Sequence, residues 1–134
     1  MSGTAIVRFL LSQNANLTAV VPAAKIQSGV IPLNTALPAI SVMQVSGVPR
    51  NTVAMASGAT VLVTDRVQVT VMALNYPSQK SILALVRAAL PVSRGTVNGF
   101  AVDSILPEDD GPDFFDAGLS IYMQSSDWMC KFNR

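Results

Sequence analysis

The segment Asp65–Pro91 restricts the fold most strongly, because its hydrophobic period changes from two residues to roughly 3.6 within a few positions. Apolar and polar residues alternate through Arg66–Leu74, which predicts a strand with one face in a core. The residues of that face are Val67, Val69 and Val71. Asn75–Ser78 interrupts the strand, and its Pro77 suits the first turn of a helix. An amphipathic helix then follows, with one apolar face formed by Ile82, Leu83, Val86, Ala89 and Leu90.

The composition favours a chain that is partly covered by other subunits. Half of its 134 residues are hydrophobic and only 13% are charged, which is unusually apolar for a soluble monomer. A membrane helix needs about 20 consecutive apolar residues, whereas Pro32 and Pro38 interrupt the uncharged stretch Ile26–Pro49. We therefore expect neither a spanning helix nor an export signal, and the single Cys130 gives no internal disulfide. The sequence predicts a protein that stays in the cytoplasm in which it is made.

Charge is divided unequally along the chain, although the net charge is only +1. Residues 1–64 carry three basic residues, among them Arg50, and no Asp or Glu. All eight acidic residues lie from Asp65 onward, and five of them lie between Glu108 and Asp116. A chain with one basic and one acidic half can contact copies of itself head to tail, but chance explains the division equally well. The small net charge argues against a dedicated nucleic-acid binder.

The remaining patterns predict an α+β fold in a single domain covering residues 1–134. Ser2–Ser12 has the apolar face of an N-terminal helix. Four segments have strand patterns: Ala39–Val45, Val61–Leu74, Thr96–Leu106 and Phe114–Gln124. We expect an antiparallel sheet of about four strands, packed on one face by the long helix and the N-terminal helix.

Two loops and one aromatic residue are candidates for contacts with partners. Ser46–Thr60, rich in Gly, Ser, Asn and Pro, is predicted to be a protruding loop with Arg50 near its tip. Pro107–Asp113 is predicted to be a solvated acidic turn. Trp128, in the tail of the chain, is either a core residue or an interface anchor, and we favour the anchor because the tail has little else to bind with.

The chain lacks the residues of the common catalytic sites. It has no histidine, which excludes Ser-His-Asp and Cys-His nucleophile arrangements. A single cysteine excludes a cysteine-rich zinc site, and no glycine-rich phosphate loop is present. An enzyme that uses Asp103 and Glu108 is an alternative that no motif supports. The sequence therefore predicts a protein without cofactor or metal that is not an enzyme.

Four segments, in their order and spacing, resemble the tail-completion, or tail-terminator, proteins of tailed bacteriophages and related gene-transfer particles. Asn16–Val21 is similar to the family's short "LTALV" turn, and Leu37–Val42 to its "LPYVVY" strand entry. Arg66–Val71 matches its "R-V-Q-V-D-V-W/Y" strand. Tyr76–Leu90 is similar to its "Y-x-E-A-x-x-L-A-x-x-V-R-x-A-L" helix. The chain departs from the pattern at Thr70 and in lacking an acidic residue after the tyrosine.

The resemblance implies a structural role in a virion. Family members form a hexameric ring on the end of the tail tube nearest the capsid, stop growth of the tube and join the tail to the head-side connector. The implied partners are further copies of the chain, the tail tube protein and the head–tail connector protein, with DNA passing through the lumen without specific binding and no membrane. Assembly would take place in the cytoplasm of the bacterial host. The candidate contact residues between subunits or with the tube are Arg50, Glu108, Asp109, Asp110, Asp113 and Trp128.

Two alternatives to a tail terminator remain open at this point. The first is a head–tail connector or stopper protein, which would bind the portal side of the virion instead of the tail tube. The second is a small-ligand-binding α+β domain, which has no support from a motif. Formation of a ring distinguishes the virion proteins from the ligand-binding domain.

Overall fold

The computed structural model describes residues 3–29, 31, 36–50, 62–90, 94–97, 99–118 and 120–133. The strands are β1 (Ile26–Ser28), β2 (Ala39–Arg50), β3 (Leu62–Ala73), β4 (Gly95–Val97), β5 (Phe100–Asp110), β6 (Phe114–Asp116) and β7 (Ile121–Asn133). The helices are α1 (Gly3–Gln13), α2 (Ala15–Thr18) and α3 (Tyr76–Ala89), with a 3-10 turn at Ala23–Lys25. The strands form one seven-stranded sheet in the order β1-β2-β3-β7-β5-β4, and β6 also pairs with β7.

The centre of the sheet is the antiparallel pair of β3 and β7. Their register runs from Leu62 opposite Asn133 to Ala73 opposite Tyr122. Every second residue of β3 is buried, and the same alternation continues along β7 from Gln124 onward. Period-two burial is what a strand shows when only one of its faces lies in a core. The predicted core face is confirmed, because Val67, Val69 and Val71 are fully buried.

Helices α1 and α3 pack on the buried face of the sheet. Both helices contact β3 and β7, and α1 also contacts β1 and β2. The predicted turn into α3 is present: the Asn75 side chain accepts a hydrogen bond from the Ser78 N–H at 2.9 Å, and a proline occupies the first turn. The apolar residues that the two helices bury are Ile6, Val7, Leu11, Ile82, Leu83 and Val86.

The prediction of an α+β fold with about four strands is wrong. The protein is mostly β, with 51% of its residues in strands, and its sheet is a curled, mixed half-barrel with only short helices. The first residues of the predicted loops Ser46–Thr60 and Pro107–Asp113 are instead the ends of β2 and β5, at Arg50 and Asp110. Ser125–Asn133 of the predicted tail belongs to β7. These segments have the composition of turns or tails, but each lies beside a long strand, and pairing with that strand overrides local preference.

The predicted loop Ser46–Thr60 lies partly outside the described residues. Residues 46–50 of the predicted loop extend β2, whereas residues 51–60 lie outside the described residues. The organisation of residues 1–134 as one domain stays a prediction.

A buried carboxylate holds α1 against the sheet. Asp65 lies on the core face of β3 and is 3% exposed, and its Oδ2 accepts a hydrogen bond from the Gly3 N–H at 2.7 Å. Negative charge at the N-terminus of a helix is favourable, because unpaired N–H groups point towards it. Asp65 fits in this position because the two residues packed against its side chain, Gly3 and Gly47, have no Cβ. A Cβ at Gly3 would lie 2.9 Å from the Asp65 Cβ, and one at Gly47 would lie 2.6 Å from Oδ1.

Replacement of Asp65 by alanine should loosen α1. We expect Asp65→Ala to lower the free energy of unfolding by about 1–3 kcal/mol, because a buried charge-assisted hydrogen bond is lost and the helix N-terminus is left uncapped. Urea denaturation followed by circular dichroism measures the change. The control is Asp103→Ala, which removes an exposed carboxylate and is expected to change the value by less than about 0.5 kcal/mol. Equal effects of the two substitutions would contradict the role of Asp65.

Gln79 is a second polar residue in the core, and it is unsatisfied. Its side chain is 0% exposed, and neither Nε2 nor Oε1 has a hydrogen-bond partner among the described residues. We expect Gln79→Met to raise the free energy of unfolding by about 1 kcal/mol, because methionine keeps the length of the side chain without burying an amide. Urea denaturation tests this, with Gln13→Met on the exposed part of α1 as the control. A lower stability of Gln79→Met would show that the amide is satisfied.

Candidate functional site

The first candidate surface is the outer edge of β2. On that side, β1 pairs in parallel with β2 over Ile40–Val42. Within the described ranges, no strand pairs with Met43–Arg50 on the side away from β3. The exposed apolar side chains of this segment are Met43, Val45 and Val48, which are 44%, 53% and 58% exposed. We call Met43–Arg50 the β2 edge. An uncovered sheet edge of this kind offers its N–H and C=O groups to another chain.

The second candidate surface lies on the opposite side of the same sheet. There, β4 pairs with β5 only over Phe100–Val102. As far as the chain is described, Asp103–Asp110 has no partner strand on the side away from β7, and we call this segment the β5 edge. Leu106 at its middle is 55% exposed. The β5 edge carries four of the acidic residues, whereas the β2 edge carries none.

The structure brings the predicted acidic residues together at the end of β5 and in the turn that follows. Glu108, Asp109, Asp110 and Asp113 are all exposed. Asp110 forms a salt bridge with Arg87 at 2.9 Å. Glu108 and Asp109 form no salt bridge with any described residue, so their charges are available to a partner.

Arg66 lies close enough to Glu108 and Asp109 for their charges to act on it. Its Nε and Nη2 donate to Asp127 Oδ2 at 2.9 and 2.7 Å. The hydrogen bond with Asp127 raises the pKa of Arg66, and the nearby charges of Glu108 and Asp109 raise it further. Since Arg66 is already paired with Asp127, it leaves the end of β5 with a net negative charge.

A polar network holds the chain segment after β5 against the start of α3. Lys80 Nζ donates to Asp113 Oδ1 at 2.7 Å and to Gln124 Oε1 at 2.6 Å. The Tyr76 hydroxyl donates to Asp113 Oδ2 at 2.8 Å, and the Gln124 amide donates to the Gly111 carbonyl at 2.8 Å. The hydrogen bond from Lys80, followed by that from Tyr76, lowers the pKa of Asp113, and the same contact with Asp113 raises the pKa of Lys80. Helix α3 therefore fixes the direction in which the chain leaves the β5 edge.

An exposed aromatic patch lies beside this network at one end of the strands. We define it as Tyr76, Phe115 and Tyr122. Tyr76 and Phe115 are 43% and 47% exposed. The Tyr122 ring lies 4.6 Å from the Phe115 ring and 6.1 Å from the Tyr76 ring, measured between centroids. Exposed aromatic clusters are typical of protein contact surfaces. Sequence reasoning missed the patch, because its residues come from separate segments that only the fold brings together.

Arg50 and Trp128, two of the predicted contact residues, do not lie at the acidic end of β5. Arg50 ends β2, where its backbone pairs with Leu62, and its side chain lies outside the described part of the chain. Trp128 is 1% exposed, and its Nε1 donates to Ser126 Oγ at 2.9 Å. The interface-anchor interpretation of Trp128 is therefore corrected in favour of the core interpretation. The physical reason is the alternation along β7, which places Trp128 on the covered face with Cys130 and Phe132.

The described ranges contain no group of three or more His, Cys, Asp or Glu side chains that could hold a metal ion. None of their helices is long and apolar enough to cross a membrane. An open depression of about 600 Å³ lies between α1 and β1, and another of about 380 Å³ lies beside β4. In the first, Arg8 is already engaged, because its Nε donates to the Ile26 carbonyl at 2.9 Å.

The described residues thus combine two open sheet edges with an exposed aromatic patch, and surfaces of both kinds are typical of contacts with other proteins. The sequence model of the family described as tail completion protein gp17 matches residues 5–113. The chain belongs to this tail completion family and is a structural protein of a phage-type virion tail. The resemblance drawn from the four sequence segments is thereby confirmed.

Solved structures share the fold. A chain of the virion of a native gene transfer agent particle has a TM-score of 0.69 and 11% sequence identity, over 98% of this chain and 94% of that chain. A second solved chain has a TM-score of 0.62 and 17% identity, over 98% of this chain and 96% of that chain. No curated protein sequence matches the chain. The family and the gene transfer agent particle are virion structural components rather than enzymes.

The contact between Lys80 and Asp113 predicts a specific acid dependence of stability. The pKa of Asp113 in the folded chain is below the unfolded value of 3.8, so its stabilising effect is complete well above pH 3.8 and is lost as the pH falls through the folded pKa. The free energy of unfolding should therefore fall more steeply below pH 3.8 in the unchanged protein than in Lys80→Met. Urea denaturation at a series of pH values measures the slopes. Arg94→Met, which removes another exposed salt bridge, is the control, and equal slopes for Lys80→Met and the unchanged protein would refute the contact.

Proposed function

We propose that the protein is a tail terminator. In this proposal, about six copies form a ring that caps the head-proximal end of the tail tube, stops growth of the tube and joins the tail to the head-side connector. Membership of the tail completion family supports a position in the tail. The observation that supports the ring is a pair of edges, on opposite sides of one sheet, that no strand in the described part of the chain covers.

The difference between the two edges favours a ring over a dimer. A surface that binds a copy of itself gives a two-fold dimer, whereas two different surfaces that bind each other give a head-to-tail contact. Such contacts generate a closed ring when the rotation between neighbours divides a full turn. The β2 edge is apolar and the β5 edge is acidic, so the two are chemically different. A ring would also cover exposed apolar side chains such as Met43, Val48 and Leu106, which a free monomer leaves in water.

The ends of the strands support contacts with two further partners. The aromatic patch lies at the end of β3 that is marked by Ala73, beside the start of α3. Residues 51–61 connect β2 to β3 at the opposite end, where Arg50 and Leu62 pair. Since twelve residues of extended strand span roughly 40 Å, the two ends are far enough apart to contact different proteins. We assign them to the tail tube protein and the head–tail connector protein, with Arg50 and the segment after it on the tube.

The remaining parts of the proposal concern the lumen and the place of assembly. DNA would pass through the ring without specific binding, in accordance with a net charge of only +1. Assembly would take place in the cytoplasm of the bacterial host, where tail tubes are made.

Addition of the purified protein to tail tubes that lack it tests the proposal. We expect negative-stain images to show one additional ring at one end of each tube, and we expect the capped tubes to stop growing when tail tube protein is added. Tubes that bind the protein along their sides, or that continue to grow, would contradict a terminator. Binding to isolated head-side connectors without binding to tubes would favour a connector or stopper protein instead.

The assignment of Arg50 to the tube gives a sharper version of this test. Arg50→Ala combined with a shorter segment within residues 51–60 should weaken binding to tubes by at least roughly tenfold, because a charged contact and its flanking surface are removed. Ser46–Arg50 is kept in the chain, since it belongs to β2. The matched control is Lys25→Ala, which removes another basic residue of the N-terminal half. Circular dichroism checks that both variants keep their fold, and unchanged binding by the Arg50 variant would remove this segment from the contact.

A further inference from the structure

We infer that neighbouring subunits join by placing the β2 edge of one copy against the β5 edge of the next, so that the sheet continues from subunit to subunit. The inference rests on the proposed ring and names the two surfaces that form it. Addition of a strand to an open sheet edge is a common mode of protein recognition, since the main-chain groups of both edges become paired.

The directions of the strands suit this join. β2 is antiparallel to β3, β3 is antiparallel to β7, and β7 is antiparallel to β5. The strands at the two sides of the sheet, β2 and β5, therefore run in opposite directions. A rotation about an axis along the strands does not change their direction, so β2 of one copy meets β5 of the next in antiparallel orientation. Antiparallel pairing is the slightly more stable type.

The two open edges lie at the same level along the strands. The registers connect Ser46 through Arg66 and Met129 to Leu106, in one row that crosses the sheet from edge to edge. Two further rows connect Met43 with Asp109 and Val48 with Ser104. A neighbour placed beside the sheet without a shift along the strands would therefore set the β2 edge directly against the β5 edge.

The short strands β1 and β4 limit the contact on both sides. β1 lies beside β2 at Ile40–Val42, next to the row that joins Met43 with Asp109. β4 lies beside β5 at Phe100–Val102, next to the row that joins Val48 with Ser104. A neighbour whose β5 edge slid towards β1 would collide with β1, and its own β4 would collide with β2. A slide in the other direction meets neither short strand, but it leaves main-chain groups of both edges unpaired. The fold therefore blocks slippage in one direction, and the loss of main-chain pairing opposes it in the other.

The chemistry of the edges selects the unlike pair over the like pairs. Two β5 edges in contact would place Glu108 and Asp109 of one copy beside the same carboxylates of another, which is unfavourable. Each edge also has a proline without an N–H, Pro49 in β2 and Pro107 in β5, and at least one register shift, which limits indiscriminate pairing of both edges. The β2 edge has no acidic residue and ends at Arg50, so it meets the β5 edge without this repulsion.

The side chains at the shared row point to the same face of the sheet. Ser46 pairs with Arg66 and Leu106 pairs with Met129, and these partners lie on the face away from the helices. Directly opposite residues of an antiparallel pair have their Cβ atoms about 4.5–5.5 Å apart, which is close to the range that a disulfide bond spans. Cysteines at positions 46 and 106 of neighbouring copies should therefore form a disulfide.

Cysteine cross-linking between two single variants tests the join. Ser46→Cys and Leu106→Cys are mixed, assembled and oxidised, so that only a contact between different copies gives the 46–106 disulfide. The native Cys130 gives little background, because burial and then the charge of Asp65 raise its pKa to about 12. We expect roughly tenfold more linked dimer than from a mixture of Leu106→Cys with Ala84→Cys, an exposed control position on α3.

Assembly is followed in the same samples by light scattering and by binding to tail tubes. The neighbouring row is tested with Val48→Cys and Ser104→Cys, in case one variant disturbs the strand. Assembled protein that gives neither the 46–106 nor the 48–104 disulfide would overturn the edge-to-edge join and leave the tail terminator proposal intact. Linked dimers of Ser46→Cys alone would also overturn the join, because two β2 edges would then be in contact. Failure to assemble and to bind tubes would instead contradict the proposed function, and the inference with it.

Discussion

The pairing of β3 with β7 is the contact on which the rest of the structure depends. It runs without a register shift from Leu62–Asn133 to Ala73–Tyr122, and it sets one face of both strands into the core. Helices α1 and α3 cover that face, and Asp65 on β3 also caps α1. β2 and β5 extend the pair on either side, each with register shifts. Because β2 and β5 are much longer than β1 and β4, each side of the sheet ends in an edge that no described strand covers. The core and the proposed contact surfaces therefore both depend on the pairing of β3 with β7.

The surface combines features that a free monomer would avoid with features that an assembled subunit needs. Long open edges with exposed apolar residues promote unspecific aggregation unless they are protected. Here the protection is unequal, because only the β5 edge has acidic residues. Both edges contain a proline and a register shift, and the β2 edge also has exposed valine and methionine side chains. This difference between the edges is expected if the β2 edge of one copy binds the β5 edge of the next. The exposed apolar surface is then a requirement of assembly and not a defect of the fold.

The strand, turn and helix from Arg66 to Leu90 could be predicted from sequence, because their periodicity is a local property. The extent of β5 could not be predicted, because Pro107 and the acidic residues after it have the composition of a turn and become a strand only beside β7. The alternation of Trp128, Cys130 and Phe132 is a usable sign of a strand in the tail, and in β7 it places Trp128 in the core and not at an interface. Composition located the acidic residues of the candidate site correctly on the surface. It could not locate the open edges, because an edge is defined by the order of strands in the sheet.

The measurement that tests the account most directly is the mass of the assembled protein by native mass spectrometry, over a range of subunit concentrations and with tail tubes present or absent. A closed ring predicts a single assembled mass of roughly six times the 14.1 kDa of the chain, which does not change as the concentration rises. A series of masses that lengthens with concentration would contradict the account, because the edges would then join subunits into an open filament. A protein that stays monomeric under all of these conditions, with tail tubes included, would contradict it as well.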